Sequence, residues 1–478
     1  MTGHGNGLKQ TFSSRDNALP LTAARLVVLA AVSCFGRIWW EREQSEMGVM
    51  NEATGSPAAA SGQYENVACP FCGILCDDLK ISKGTAGLNV VKNGCDKAVA
   101  GFERVLPASQ PMIAGKPATL AEAVAAAAKL VKSSNLPIFG GLATDVEGMR
   151  AVMSIADHAG GVVDHALSEG QYRNFRVLQS GGWVMTTLTE ARNRADLFVV
   201  VGSDIHKLHP RFFERIVCNE KSMFSDTPPK RTVVFLGEGL DQSAAVGPRI
   251  GEVISLPCKA DRIGEILVAM RALAKGVTIS GDIFGGLPRA AVENLVERCK
   301  ASSYGVMVWA PPSLAFPNAD LTVQSVAEFV KDMNVETRFA GLSLGGNEGA
   351  VSAGAVCAWQ SGFPLRVSFA SGKPDYDIER YSMTRLLANK ESDLLVWIAS
   401  YTPDLGPPDT DVPMVVLGTP GLKISKQPAV FIPIGTPGVD HAGLIVRCDN
   451  VVSLPLRNLG RSTLPRAADV LAQIEAAL

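Results

Sequence analysis

Apolar and polar positions alternate with helix and strand periods from about residue 117 onward. Thr119 and Glu122 form a capping-box pattern ahead of the Ala-rich run Ala123 to Lys132, which predicts a helix. Pro137 to Gly140 reads as a short strand. Thr144 or Asp145 then caps a second helical stretch, Val146 to His158; Gly160-Gly161 stops it, and Val162 to Asp164 returns as a strand. This is one βαβ unit, and such units stack with right-handed crossovers into a doubly wound sheet.

Two later segments echo each other. Arg194-Ala-Asp196 leads into the apolar run Leu197 to Val201 and the turn Gly202-Ser203-Asp204; Glu391-Ser-Asp393 leads into Leu394 to Ala399 and Ser400. Each is followed by another apolar strand, Thr232 to Leu236 and Pro413 to Leu417. Continuous apolar runs of this kind are what buried parallel strands require. The pattern predicts an α/β protein with two Rossmann-like, doubly wound lobes. Ligands in such sheets lie at the carboxyl ends of the strands, so Gly202 to Asp204 and Ala399 to Tyr401 become candidate site edges. The expected division is a poorly ordered extension or mis-assigned start at 1–62, a Cys-rich unit at 63–115, and a first lobe at 116–166 that resumes at 300–478 around an inserted second lobe at 167–299.

Composition narrows the function. The chain has 478 residues, of which 47% are hydrophobic, and 45 Lys plus Arg stand against 47 Asp plus Glu. That balance gives no basic surface for nucleic acid or anionic membrane. The apolar run Leu26 to Phe35 is too short to span a bilayer, and the charged stretch Arg37 to Glu43 follows it. Scattered Cys34, Cys218, Cys258, Cys299, Cys357 and Cys448 make no disulfide framework, which points to a reducing, cytoplasmic setting. No phosphate-binding loop of the G-x-x-x-x-G-K-[ST] type occurs.

The chemistry concentrates in Cys69-Pro-Phe-Cys72-Gly-Ile-Leu-Cys76-Asp77-Asp78, followed by Asn93-Gly94-Cys95. Three thiols on one loop and a fourth from the next segment suit an iron-sulfur cluster. Zinc usually takes two Cys-x-x-Cys pairs, and the second pair is missing here. A loop ordered without metal is the third alternative. Residues Glu65 to Ala100 have little room for a hydrophobic core, so something other than packing is expected to order them, as a metal centre would.

That array closely resembles the start of the B subunit of formylmethanofuran dehydrogenase, itself part of the molybdopterin oxidoreductase group. The resemblance continues through Gly182-Trp183, Asn193-Arg-Ala-Asp196 into Gly202-Ser-Asp204, His209-Pro210-Arg211, Gly345-Gly-Asn347, Trp359-Gln-Ser-Gly362-Phe-Pro364, Ser371-Gly-Lys-Pro374 and Pro437-Gly-Val-Asp440, ending with the stretch from Arg447 to Leu456. It implies the molybdopterin oxidoreductase fold without its C-terminal domain, and a four-iron, four-sulfur cluster on Cys69, Cys72, Cys76 and Cys95. It also implies a vestigial pterin pocket bordered by Gly202, Ser203, Asp204, His209, Gly345 and Asn347.

Active members of that family carry a cysteine or selenocysteine metal ligand just after a segment like Val162 to Ser168. Here the chain continues Glu169-Gly170-Gln171-Tyr172, with no thiol from 96 to 217. Molybdenum and tungsten at such centres need a soft thiolate, which speaks against a working molybdopterin or tungstopterin. The resemblance therefore favours the B subunit of the bacterial formyltransferase/hydrolase complex, a structural subunit without catalytic residues of its own. Its implied partners are an amidohydrolase-like A subunit, a β-helical C subunit and a formyltransferase D subunit. An active metal-pterin dehydrogenase subunit and an independent metal-binding module are the alternatives.

Overall fold

The computed structural model describes residues 62–478. The expectations for residues 1–61, including the run Leu26 to Phe35 and Cys34, lie outside the described residues. Among those described, no helix is long and apolar enough to cross a membrane.

The protein is mixed α/β. Its larger sheet has nine strands in the order Asp375–Tyr376, Val367–Ser368, Val162–Val163, Pro137–Ala143, Leu394–Ala399, Met414–Gly418, Val430–Pro433, Met112–Ile113 and Lys116–Pro117. The five from Val162–Val163 to Val430–Pro433 are parallel, and the strands joined to either end of that set pair with it antiparallel. The capping box is present: Thr119 accepts from the Glu122 amide and Glu122 accepts from the Thr119 amide, starting the helix Leu120–Ser133. Asp145 rather than Thr144 caps the helix Val146–Ala159, accepting from Gly148 N at 3.0 Å, and left-handed Gly160 ends it. These helices and the C-terminal helix Ala467–Ala476 cover one face, burying Met149, Val152, Val470 and Leu471 against Phe139, Val396, Val415 and Ile432. Each such aliphatic side chain contributes about 1.5 to 3 kcal/mol by leaving water.

The second sheet is wholly parallel, in the order Ile250–Leu256, Arg231–Leu236, Leu197–Val201, Tyr304–Trp309 and Arg338–Ser343. Its lobe therefore runs on past the expected boundary at 299, because the strands at 304 and 338 hydrogen-bond beside Leu197–Val201. Two runs of buried valine look alike in sequence whichever sheet they join. Arg231, fully buried, holds this lobe together by donating to the carbonyls of Ala195, Ile216, Val217 and Arg192.

The Cys-bearing segment forms a three-stranded antiparallel sheet, Gly62–Val67, Leu79–Gly84 and Gly87–Lys92, followed by the helix Asp96–Phe102. The hairpin at 112–117 belongs to the nine-stranded sheet, so this unit ends before the expected 115. Contrary to expectation, packing does order it. Val67, Leu79, Ile81, Leu88 and Phe102 are buried in one cluster with Phe212, Phe213, Leu342 and Leu344 of the second lobe. The core was invisible locally because half of it comes from residues more than a hundred positions away.

Candidate functional site

The loop carrying the cysteines is closed by its own backbone, with Cys69 N donating to Cys76 O at 2.8 Å and Leu75 N to Cys72 O at 3.1 Å. Cys69, Cys72 and Cys76 are buried, and Cys95 precedes the helix Asp96–Phe102. Burial raises the Cys69 thiol well above its usual range, and negative charge on Cys72, Cys76 and Cys95 would raise it further. Burial likewise pushes Cys72 up to about 12. Cys76 is raised by burial even though Arg215 faces it. Soft, buried donors suit a metal centre in type. Among the described residues, however, no group of three or more His, Cys, Asp or Glu stands as a ligand set.

A fifth thiol joins them. Cys448 N donates to Gly73 O at 2.9 Å, and the buried Cys448 thiol is raised by burial, then by charge on Asp449 and Cys72. In the sequence it counted among the scattered thiols, and only the fold brings it here. Gly73 itself is required, since a Cβ there would stand 1.7 Å from Gly345 O.

Asp77 and Asp78 tie the loop to the second lobe. Arg211 donates to both carboxylate oxygens of Asp78 at 2.7 and 2.8 Å, and to Asn93 O at 2.7 Å. Arg215, one helical turn on, reaches Asp77 at 2.6 Å. The i, i+4 arginine spacing after His209-Pro210 was readable as one face of a helical turn, but its acidic partners were not.

The residues expected to border a pterin pocket fall in two places. Gly345 and Asn347 lie on the Cys loop, with Gly73 N donating to Asn347 Oδ1 at 3.2 Å. Gly202, Ser203 and Asp204 follow the strand Leu197–Val201 where the second sheet's strand order reverses. There the buried Ser203 hydroxyl receives Ala310 N at 2.9 Å, and Asp204 caps a short turn through Lys207 N. His209 is buried, its Nδ1 has no partner, and burial lowers it to about 3.

The first sheet reverses its strand order between Pro137–Ala143 and Leu394–Ala399. Buried polar atoms without partners gather beyond those strands: Asp145 Oδ2, Ser400 Oγ and Tyr401 Oη, with Glu348 Oε2 from the Asn347–Gly349 turn. Burial, then the charges of Asp145 and Glu348, raises Tyr401, so its hydroxyl faces both carboxylates. Burial pushes Glu348 up to about 7 against the pull of Lys97 and Arg104. Orphaned buried polar groups at a switch point are what a bound molecule or ordered water satisfies. His165 beside them has a structural part: Nδ1 accepts from Leu167 N, Nε2 donates to Glu348 O at 3.1 Å, and burial lowers it to about 4.

Position 170 lies inside the helix Ser168–Gly181, and a Cβ on Gly170 would meet Pro312 at 3.2 to 3.3 Å. On another face of the same helix sits Arg366, buried and left-handed at φ 45, whose guanidinium reaches Ser168, Glu169 and the carbonyl of Ile378 and lies 4.3 Å from the Tyr172 ring centre. Burial pushes the facing Asp164 up to about 6 despite that cation. Gly170 has no side chain and so offers no thiolate to a metal.

No protein-family model matches the chain. It is 26% identical over 403 residues, 81% of this chain and 91% of the other, to the B subunit of the tungsten-containing formylmethanofuran dehydrogenase 2 of Methanocaldococcus jannaschii. The protein of the same description from Methanococcus maripaludis is 24% identical over 411 residues, 81% of this chain and 92% of its own length. The B subunit of the formyltransferase/hydrolase complex Fhc of Methylorubrum extorquens is 27% identical over 337 residues, 70% of this chain and 87% of that one. The chain is a homologue of these proteins. In structure it is similar to a chain of the M. extorquens FhcABCD complex crystallised with methylofuran, with a TM-score of 0.64 at 25% identity, covering 77% of this chain and 98% of that chain. That relative works within a multi-subunit assembly.

Proposed function

We propose that the chain is the B-type member of a formyltransferase/hydrolase complex of one-carbon metabolism and that it serves there as a structural subunit. The observation that carries this reading is position 170. Where the dehydrogenase pattern calls for a thiol, this helix has a glycine pressed against Pro312. Redox chemistry at a metal-pterin has no ligand there.

On this reading the two parallel-sheet lobes are Rossmann-like, of the molybdopterin oxidoreductase type. The polar atoms around Asp145, Glu348 and Tyr401, with Gly202, Ser203, Asp204, His209, Gly345 and Asn347, are the remains of a pterin pocket. Cys69, Cys72, Cys76 and Cys95 mark the place of a four-iron, four-sulfur cluster. The partners are an amidohydrolase-like A subunit, a β-helical C subunit and a formyltransferase D subunit, in the cytoplasm.

Metal and pterin analysis of the complex, purified anaerobically with its partners, tests the proposal. Formyl transfer and hydrolysis should proceed in preparations free of tungsten, molybdenum and pterin. Stoichiometric tungsten or molybdenum with a pterin on this chain would make it an active dehydrogenase subunit instead. Iron without either metal would identify a retained cluster.

A further inference from the structure

A cleft of about 220 Å³ opens beside the cysteine loop, walled by Ile74 and Asp77 of that loop, by Leu188 and Arg192 of the helix Leu188–Arg194, by Arg215, and by Arg447 just after the strand Gly443–Val446. Three arginines and one aspartate thus share the wall of a small space with apolar patches. The three are not equivalent. Arg215 is held by Asp77 at 2.6 Å and Asp78 at 3.5 Å. Arg447 is forked onto Asp449 at 2.7 and 2.9 Å, a carboxylate that also accepts Leu188 N at 3.0 Å. Arg192 has only a neutral partner, the Asn219 side-chain oxygen at 2.9 Å. Its charge is therefore met by no carboxylate, while its neighbours are fixed in place by theirs.

We propose that this cleft binds a small oxyanion, a phosphate or a carboxylate, through Arg192 with Arg215 and Arg447 as flanking donors. Guanidiniums match such groups with paired, planar N–H donors, and partial exclusion of water by Ile74 and Leu188 strengthens the attraction. The volume sets the class. It lies below the roughly 300 Å³ at which sites for drug-sized ligands begin, so the cleft takes an anionic group or a small free anion rather than a nucleotide. Because the cysteine loop, the second lobe and the C-terminal hairpin each contribute a wall, an anion bound here bridges all three. The inference does not depend on the assignment to a formyltransferase/hydrolase complex, and the cleft is separate from the Asp145, Glu348 and Tyr401 cluster.

Calorimetric titration of the full chain with inorganic phosphate and, separately, with succinate at low ionic strength is the test, with chloride at matched ionic strength as the blank. Saturable binding of either anion is expected. R192Q should weaken it about tenfold to a hundredfold, and R192K, which keeps the charge and loses the fork, should weaken it less. R194Q, whose parent side chain pairs with Glu190 on the same helix, should bind as the parent does. Tighter phosphate binding would identify a phosphate ligand, and tighter succinate binding a carboxylate one, such as an acidic side chain. Heats no larger than those of chloride, or equal affinity in the parent, R192Q and R192K, would overturn the proposal.

Discussion

Arg211 closes a two-point fork on Asp78, 2.7 and 2.8 Å from its carboxylate oxygens, and so fastens the segment that carries Cys69, Cys72 and Cys76 to the second lobe. The guanidinium is almost wholly buried and also pairs with Glu214, whereas Asp78 keeps about a third of its surface in water. Planar bidentate pairing is where arginine outperforms a point charge.

Arg211→Ala should lower stability by on the order of 2 kcal/mol, the scale of lost hydrogen bonds to charged groups. Urea unfolding measures this. Thiol-reagent labelling of the Cys69 to Cys76 loop should also quicken as the loop loosens. Adding Asp78→Asn to that variant should cost little more, because the two residues act as one unit. Additive losses would show that the fork contributes nothing.

Glu348 gives the protein a distinct pH dependence. Its folded value of about 7 lies above the ordinary carboxylate range, so its contribution to stability is complete below about pH 4.5 and is lost as pH rises through about 7. Lys97, Arg104 and Asp404 are the charged groups that face it. Glu348→Gln stays neutral throughout, and should therefore be more stable than the parent at pH 8 by on the order of 2 kcal/mol while matching it near pH 4.5. Parallel stability curves for the two proteins would refute the assignment.

Gly170→Cys should not recreate a metal centre. The added Cβ must move Pro312 by a few tenths of an ångström, and overpacking of this kind costs on the order of 1 kcal/mol. A lowered melting temperature, with no tungsten or molybdenum retained after growth with either metal, is the expected outcome. Stoichiometric metal on this variant would mean that the site lacks only its ligand.

The sequence by itself determined the local elements and the candidate chemistry. Thr119 with Glu122, Asp145 with Gly148, and the stop at Gly160 are interactions between near neighbours, so residue type and spacing suffice to announce them. The valine-rich run at 197–201 and the apolar run at 394–399 likewise had to be buried strands. Which sheet the strands at 304 and 338 joined was decided only by tertiary hydrogen bonding, because similar apolar runs satisfy either sheet. The same holds for the cysteine segment, whose core is completed by Phe212, Phe213 and Leu342, for Cys448 beside Gly73, and for Pro312 beside position 170. Burial, charge pairing and the arginine-lined cleft depend on residues far apart in the chain, and distances between such residues are properties of the folded packing alone.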